Sequence, residues 1–389
     1  MTLSVGLFNV TALHIEPSSM CQAHCTMCPR SSNTNKSEHA GYLSWDSYNK
    51  QIAPYINGML IYFCGNYGDP MMNPDMSKIA IDVVKRNNNS VISTNGGIGK
   101  TNDYYEMCKQ RVKIVFDVEG TTQELHERYR RGVNYSKLKE NIFAAYRGFL
   151  DREGPDTFES NIEFYVIPWA HTVKDLKNIV ELARSVKAFI KIGYPRHLPE
   201  GTQSYDKDGN IVGYVTVTEN LNNARFGTFI PEQFDELLSF DWGKELPIVK
   251  TNNNILRKTK TNFDTEEYIP RTNVEFYNFY ENSVKVNCQA RQQQSVFISA
   301  DLKVLPCCHL GTFVNGETLG FLRPTKGDER RSIVMDKYFE IGNEKFDLTN
   351  KTLYDIVYDD DWRNFAFSNV EGQKIYKYCE EICGLCKTN

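Results

Sequence analysis

Cys21, Cys25 and Cys28 stand in the run Met20-Cys21-Gln22-Ala23-His24-Cys25-Thr26-Met27-Cys28-Pro29-Arg30, a C-x3-C-x2-C triplet. Iron–sulfur cubanes are held by cysteine thiolates, usually four, so a compact set of three can hold three irons and leave the fourth open to an exchangeable ligand. An open iron is a place to do chemistry. A structural zinc site is the competing reading, but such sites close with four ligands. The local fourth donor would be His24, inside the x3 loop and next to Cys25, where it is badly placed to complete the same tetrahedron.

Other polar groups recur at intervals after the triplet. Phe63-Cys64-Gly65-Asn66-Tyr67-Gly68-Asp69-Pro70 is a glycine-punctuated turn ending in a carboxylate, whose carbonyls and Asp69 suit an ammonium group. Ser93-Thr94-Asn95-Gly96-Gly97 offers hydroxyl and amide groups. Asp117 and Glu119, in Phe116-Asp117-Val118-Glu119-Gly120, share one face of an extended strand and suit substrate binding or proton transfer. Arg130, in Tyr129-Arg130-Arg131-Gly132, can fork onto a carboxylate. Gly193-Tyr194-Pro195-Arg196-His197 adds Tyr194 as a cofactor contact and His197 as a third candidate base after Asp117 and Glu119. Taken singly, each is equally compatible with an ordinary turn or a solvated polar cluster.

The elements that must position these groups alternate. Extended, β-branched segments are predicted at Ala12–Glu16, Met59–Cys64, Ser90–Thr94, Val112–Val118, Glu163–Ile167 and Phe189–Gly193. Amphipathic helical stretches lie between them, such as Trp45–Tyr55, Met76–Arg86, Lys137–Phe149 and Val173–Lys187. This is the pattern of an α/β fold, a partial (β/α)6 TIM-like barrel, in which loops after the strand C-termini carry the chemistry. Every cluster above falls at or just after such an end. The expected division is a barrel core over residues 1–200, an insertion or linker over 201–287 and a small cysteine-bearing domain over 288–389.

With 45 Lys plus Arg against 49 Asp plus Glu, the net charge of −4 offers no general attraction for nucleic acid or an anionic membrane. The first ten residues lack a basic n-region and no apolar run reaches spanning length, so a cytoplasmic protein is expected. In a reducing compartment, eleven cysteines point to metal ligation rather than disulfides. Toward the C-terminus, Cys288 precedes Ser295–Cys308, which reads as two short strands across an Asp-containing turn. Cys379-Glu380-Glu381-Ile382-Cys383-Gly384-Leu385-Cys386 follows near the chain end. The C-x2-C at Cys383 and Cys386 also suits zinc.

The ordered set resembles the radical S-adenosylmethionine (SAM) superfamily. Cys21, Cys25 and Cys28 match its C-x3-C-x-Φ-C signature, with Met27 where an aromatic usually lies near the adenine. Gly65, Asn66, Gly68 and Asp69 resemble the G-G-E-P motif that binds the SAM amino group, lengthened by one residue and with Asp for Glu. Ser93 and Asn95 resemble ribose and methionine contacts, and Arg130 resembles a contact to the SAM carboxylate. The C-terminal region resembles the SPASM and twitch extensions, which bind auxiliary [4Fe–4S] clusters. Its spacing fits the single-cluster twitch form, and Leu302 replaces the glycine of the SPASM pattern. The resemblance implies auxiliary ligands Cys288, Cys307, Cys383 and Cys386, with Cys308 and Cys379 as rivals, and leaves Cys64 and Cys108 as free, buried thiols.

The implied activity is reductive cleavage of SAM on the open iron, by an external one-electron donor such as flavodoxin or ferredoxin. The resulting 5′-deoxyadenosyl radical would abstract hydrogen from a small polar substrate, with the auxiliary [4Fe–4S] cluster accepting the remaining electron or anchoring the substrate. Two alternatives stand beside this oxidoreductase. One is a maturase of a ribosomal peptide, although the triplet at residue 21 is expected to leave no room for an N-terminal peptide-recognition domain. The other is a non-enzymatic zinc or Fe–S interaction module.

Overall fold

The computed structural model describes residues 3–5, 8–26, 28, 41–157, 160–193, 202–205, 211–246, 290, 294–308, 310, 311, 338 and 340–367. A short antiparallel hairpin, β1 (Leu3–Val5) with β2 (Phe8–Val10), leads into the first core strand. Six parallel strands then run side by side: β3 (Ala12–Ile15), β4 (Leu60–Phe63), β5 (Asn89–Thr94), β6 (Lys113–Asp117), β7 (Ile162–Val166) and β8 (Phe189–Ile192). Each lies within one residue of its expected bounds. Their helix-facing side chains, including Ile61, Phe63, Ile92, Ile114, Phe116, Phe164, Ile190 and Ile192, are almost wholly buried. Burying these apolar side chains favours the layered fold by removing them from water.

The connecting helices are α1 (Trp45–Gln51), α2 (Met76–Lys85), α3 (Thr101–Lys109), α4 (Gln123–Glu127), α5 (Tyr135–Glu153), α6 (Ala170–Lys174) and α7 (Leu176–Ser185). Ser44 caps α1 by accepting from the Ser47 amide, and Asn134 caps α5 by accepting from the Lys137 amide. The stretch expected as one helix over Val173–Lys187 is two, joined at Asp175. Its carboxylate accepts from the Thr121 amide and hydroxyl, at 2.5 and 2.7 Å, and so ties the loop after β6 to that junction.

A second hairpin, β9 (Thr202–Tyr205) with β10 (Ile211–Val215), stands on either side of the expected Asp206–Asn210 turn, which itself lies outside the described residues. The stretch expected as an insertion also contributes β11 (Gly227–Phe229), antiparallel to β8, and α8 (Phe234–Ser239). The expected C-terminal hairpin forms as β12 (Ser295–Ile298) and β13 (Val304–Leu305). It continues the core sheet: β12 pairs parallel with β3, bringing Phe297 opposite His14. Among the described residues the sheet therefore has nine strands in the order β11-β8-β7-β6-β5-β4-β3-β12-β13.

Behind that hairpin pack α9 (Leu353–Val357) and α10 (Asp360–Phe367), with the Trp362 indole donating to the Val304 carbonyl at 2.9 Å. Among the described residues no helix is long and apolar enough to cross a membrane.

Candidate functional site

The cysteine loop leaves the end of β3 and is strapped to its surroundings by backbone bonds. The His24 amide donates to the Arg131 carbonyl at 2.8 Å and the Thr26 amide to the Tyr129 carbonyl at 3.3 Å. Within the loop, the Cys28 amide donates to the Cys25 carbonyl at 3.1 Å. Cys21, Cys25 and Cys28 are each half-buried and stand outside any disulfide among the described residues. N–H groups point at two of the sulfurs: the Ala23 amide lies 3.4 Å and Asn95 Nδ2 3.8 Å from Cys21 Sγ, and Arg130 Nη1 lies 3.9 Å from Cys25 Sγ. Burial pushes the Cys25 thiol up to about 12, while the Arg130 charge opposes it.

Three thiols on one short loop, with N–H donors aimed at their sulfurs, are a donor set that fits an iron–sulfur cluster. Among the described residues no three Cys, His or carboxylate side chains stand close enough together to share one metal ion, so the fit rests on that donor set.

The glycine turn after β4 packs directly on this loop. A Cβ on Gly68 would stand 1.8 Å from the Ser18 carbonyl oxygen, and one on Gly65 2.1 Å from the Gly68 carbonyl oxygen. Only glycine permits both approaches. The turn is pinned from below by Glu16, a fully buried carboxylate that accepts from the Tyr67 amide at 2.7 Å and the Gly68 amide at 3.3 Å. Sequence reading missed Glu16; its only signal was an acid at a strand end.

Asp69 faces inward instead of presenting a free carboxylate for an ammonium group. It is 4% exposed. One oxygen accepts from Thr94 Oγ1 and the Met71 amide, the other from the Asn95 amide and Asn95 Nδ2, all at 2.6–2.9 Å. Burial raises its pKa, and the bonds from Asn95, Met71 and Thr94 pull it back. Asp69 thereby fuses the turns after β4 and β5. Asn95 continues the chain of contacts, accepting from Gln22 Nε2 at 2.7 Å beside Cys21.

Asp117 and Glu119 converge on Arg130, but unequally. The guanidinium forks onto Glu119 with two 2.9 Å bonds and approaches Asp117 at 3.2 Å. The Glu119 side chain has no exposure, whereas Asp117 keeps 15%. Burial raises both carboxyls against the pull of Arg130, and the Glu119 charge adds to the rise of Asp117, which reaches about 7. Behind Glu119, His126 accepts from the Glu119 amide at 3.4 Å, and burial depresses it to about 3.

Residues 15–152 match the family model described as the Radical SAM superfamily. That span runs from the last residue of β3 to near the end of α5, and contains the cysteine loop, both turns, Asp117, Glu119 and Arg130. Over that span the chain is similar to a radical SAM domain. SuiB from Streptococcus suis bound to S-adenosylmethionine aligns with 93% of this chain and 68% of its own, at 13% identity and a TM-score of 0.51. SuiB bound to the precursor peptide SuiA aligns with 93% and 67%, at 12% identity and a TM-score of 0.51. At such identity the likeness is one of fold. No curated protein sequence matches the chain. The family match sets aside the non-enzymatic module.

The candidate site also reaches the C-terminal hairpin. Asn66 Nδ2 donates to the Cys308 carbonyl at 2.9 Å. Cys64, expected to be a buried bystander, is half-buried beside Asp117, Cys308 and Ser93. Burial pushes its thiol up to about 12, the first two raise it further, and a hydrogen bond to Ser93 opposes them. Cys108 is buried as expected. Cys307, at the end of the hairpin, is half-buried against the core, with its sulfur 3.5 Å from the Leu310 amide. Met27, Tyr194, His197, Cys288, Cys379, Cys383 and Cys386 lie outside the described residues.

Proposed function

We propose that this radical SAM enzyme is an oxidoreductase that removes hydrogen from a small polar substrate. Bound to Cys21, Cys25 and Cys28, a [4Fe–4S] cluster with SAM on its open iron supplies one-electron cleavage to a 5′-deoxyadenosyl radical. The observation that carries the reading is the fusion of three loops around one point, the cysteine loop, the Gly65–Asp69 turn and the Ser93–Gly97 turn, through Glu16, Asp69 and Asn95.

In this reading Gly65, Asn66 and Gly68 offer backbone groups to the SAM amine, and Asp69 holds that backbone in place. Ser93, Asn95, Met27 and Tyr194 contact the rest of the cofactor. Arg130 is held by Glu119 and steadies the charge near Cys25, a positioning role that leaves its reach to a SAM carboxylate to the edge not used by the fork. Asp117, with partial exposure and a raised pKa, takes the substrate proton, and His197 is the reserve candidate. Cys288, Cys307, Cys383 and Cys386 would hold an auxiliary [4Fe–4S] cluster in a twitch-like C-terminal domain, which would supply an acceptor for the second electron or an anchor for the substrate. A cytoplasmic flavodoxin or ferredoxin is the fitting reductant.

A second reading, a maturase acting on a ribosomal peptide, is favoured by the fold likeness to SuiB with its bound precursor peptide. Deuterium transfer into 5′-deoxyadenosine from labelled small molecules or from labelled peptides separates the two. Anaerobic reconstitution tests the shared core: about eight irons per chain are expected for two cubanes. Replacing Cys21, Cys25 and Cys28 together by Ala is expected to abolish 5′-deoxyadenosine while keeping roughly four irons. Continued deoxyadenosine production by that variant refutes the assignment.

A further inference from the structure

Along β6, β7 and β8 the even-numbered residues Ile114, Phe116, Ile162, Phe164, Ile190 and Ile192 are buried against the helical layer. Strand alternation puts Lys113, Asp117, Glu163, Tyr165 and Lys191 on the opposite, inner face. Register aligns Asp117 with Tyr165, Tyr165 with Lys191, and Lys191 with Thr228 of β11, so one inner row leads away from the candidate base. The Lys191 ammonium stands over the Tyr165 ring at 6.0 Å. Gly193 lets that ring lie across the end of β8, since a Cβ there would stand 2.1 Å from the Tyr165 hydroxyl oxygen.

Among the described residues, the charges of this face and its mouth named here are matched except for Lys191. Lys113 pairs with Glu163 at 2.6 Å, Arg130 with Asp117 and Glu119, and Glu16 and Asp69 with amides. Lys191 is exposed and has no carboxylate partner among the described residues. An exposed lysine elsewhere on a surface needs no partner. One at the end of a register row that starts at Asp117 offers positive charge to whatever occupies that row.

We propose that Lys191 binds a carboxylate of the substrate and so holds the reacting part of the molecule beside Asp117. The proposal rests on the radical SAM reading of the site and deepens it by naming the substrate class, an acid. A monoanion fits better than a phosphate ester, because a dianion would meet a single cation here with two carboxylates close by.

The test is competitive lysine labelling of the anaerobically reconstituted full-length protein with SAM bound. Sulfo-N-hydroxysuccinimide acetate is the reagent, and acetylation at each lysine is read by peptide mass spectrometry. Butyrate, a monoanion, is expected to slow acetylation of Lys191 about tenfold, the scale of one charged hydrogen bond. Butyramide, its neutral amide, is expected to leave Lys191 unprotected, and Lys50, exposed on α1, to respond to neither. Equal protection by acid and amide, or no protection of Lys191 beyond that of Lys50, overturns the proposal. Deoxyadenosine formation in the same preparation keeps the two readings apart. SAM cleavage without selective protection removes only the role of Lys191, whereas absent SAM cleavage removes the reading beneath it.

Discussion

Replacing Arg130 by Met removes the one cation between two buried carboxylates and keeps most of the side-chain length. In the native protein the guanidinium is 13% exposed and Glu119 not at all, and the pair is joined by two 2.9 Å bonds. Breaking a buried ion pair by deleting one partner costs about 3–5 kcal/mol, because the other charge is left without compensation. The native carboxyl pKa values are already raised by burial, Asp117 to about 7, and losing Arg130 raises both further.

A carboxyl whose folded pKa lies above its unfolded value of about 4 binds a proton in the folded protein that the unfolded chain has released. The stability it contributes is complete below the unfolded value and is lost as pH rises through the folded one. The Arg130→Met deficit is therefore expected to be largest at alkaline pH and to shrink under acid. Urea unfolding of anaerobic protein, followed by tryptophan fluorescence, should show a loss of about 3 kcal/mol at pH 8 and under about 1 kcal/mol at pH 5. The double variant Arg130→Met with Glu119→Leu should recover about 2 kcal/mol relative to additivity. An equal deficit at both pH values, or strictly additive single effects, refutes the view that the fork holds Glu119 in place.

Asp117→Asn is expected to keep deoxyadenosine formation and lose oxidised product, with wild-type product formation rising as pH passes about 7 and the base ionises; an acid limb elsewhere, or a productive variant, removes Asp117 as the base. Gly68→Ala forces a Cβ against the Ser18 carbonyl, so a loss of about 2–4 kcal/mol in urea unfolding and weaker SAM binding by equilibrium dialysis are expected. Unchanged binding would show that the turn moves without harm. Glu16→Ala orphans the Tyr67 and Gly68 amides and should cost about 1–3 kcal/mol, with Glu16→Gln, which keeps an acceptor oxygen, restoring most of it.

Core strands such as Ala12–Ile15 and Phe189–Ile192 were legible because buried apolar residues alternate with polar ones, Leu13-His14-Ile15 and Ile190-Lys191-Ile192, whereas Asn89–Thr94 was legible by its β-branched Val91, Ile92 and Thr94. The helix Thr101–Lys109 was not delimited, since its mean character is polar. Only Tyr104, Met107 and Cys108 are buried, yet their i, i+3, i+4 spacing is a helical signal that was there to be read. Gly227–Phe229 carries no strand signal in three residues; pairing with β8 makes it a strand. The hairpin over Ser295–Leu305 was legible as a hairpin. Its place beside β3 was not, because strand pairing across so long a stretch of chain is decided by tertiary packing.

At the site, residue types were legible and their orientation was not. Asp69 was read as a free acceptor and is instead a buried joint, because four donors from two neighbouring turns converge on it. Strand alternation was expected to put Asp117 and Glu119 on one face; β6 ends at Asp117, Glu119 lies two residues beyond it, and both meet Arg130. The difference between the two arises from Arg130, which arrives from the loop before α5 and takes Glu119 in both arms of its fork while meeting Asp117 at one edge. In the proposed reading, two acids two residues apart thus acquire opposite duties. The wholly buried one fixes a cation near Cys25, and the partly exposed one would exchange a proton with a substrate along the row toward Lys191.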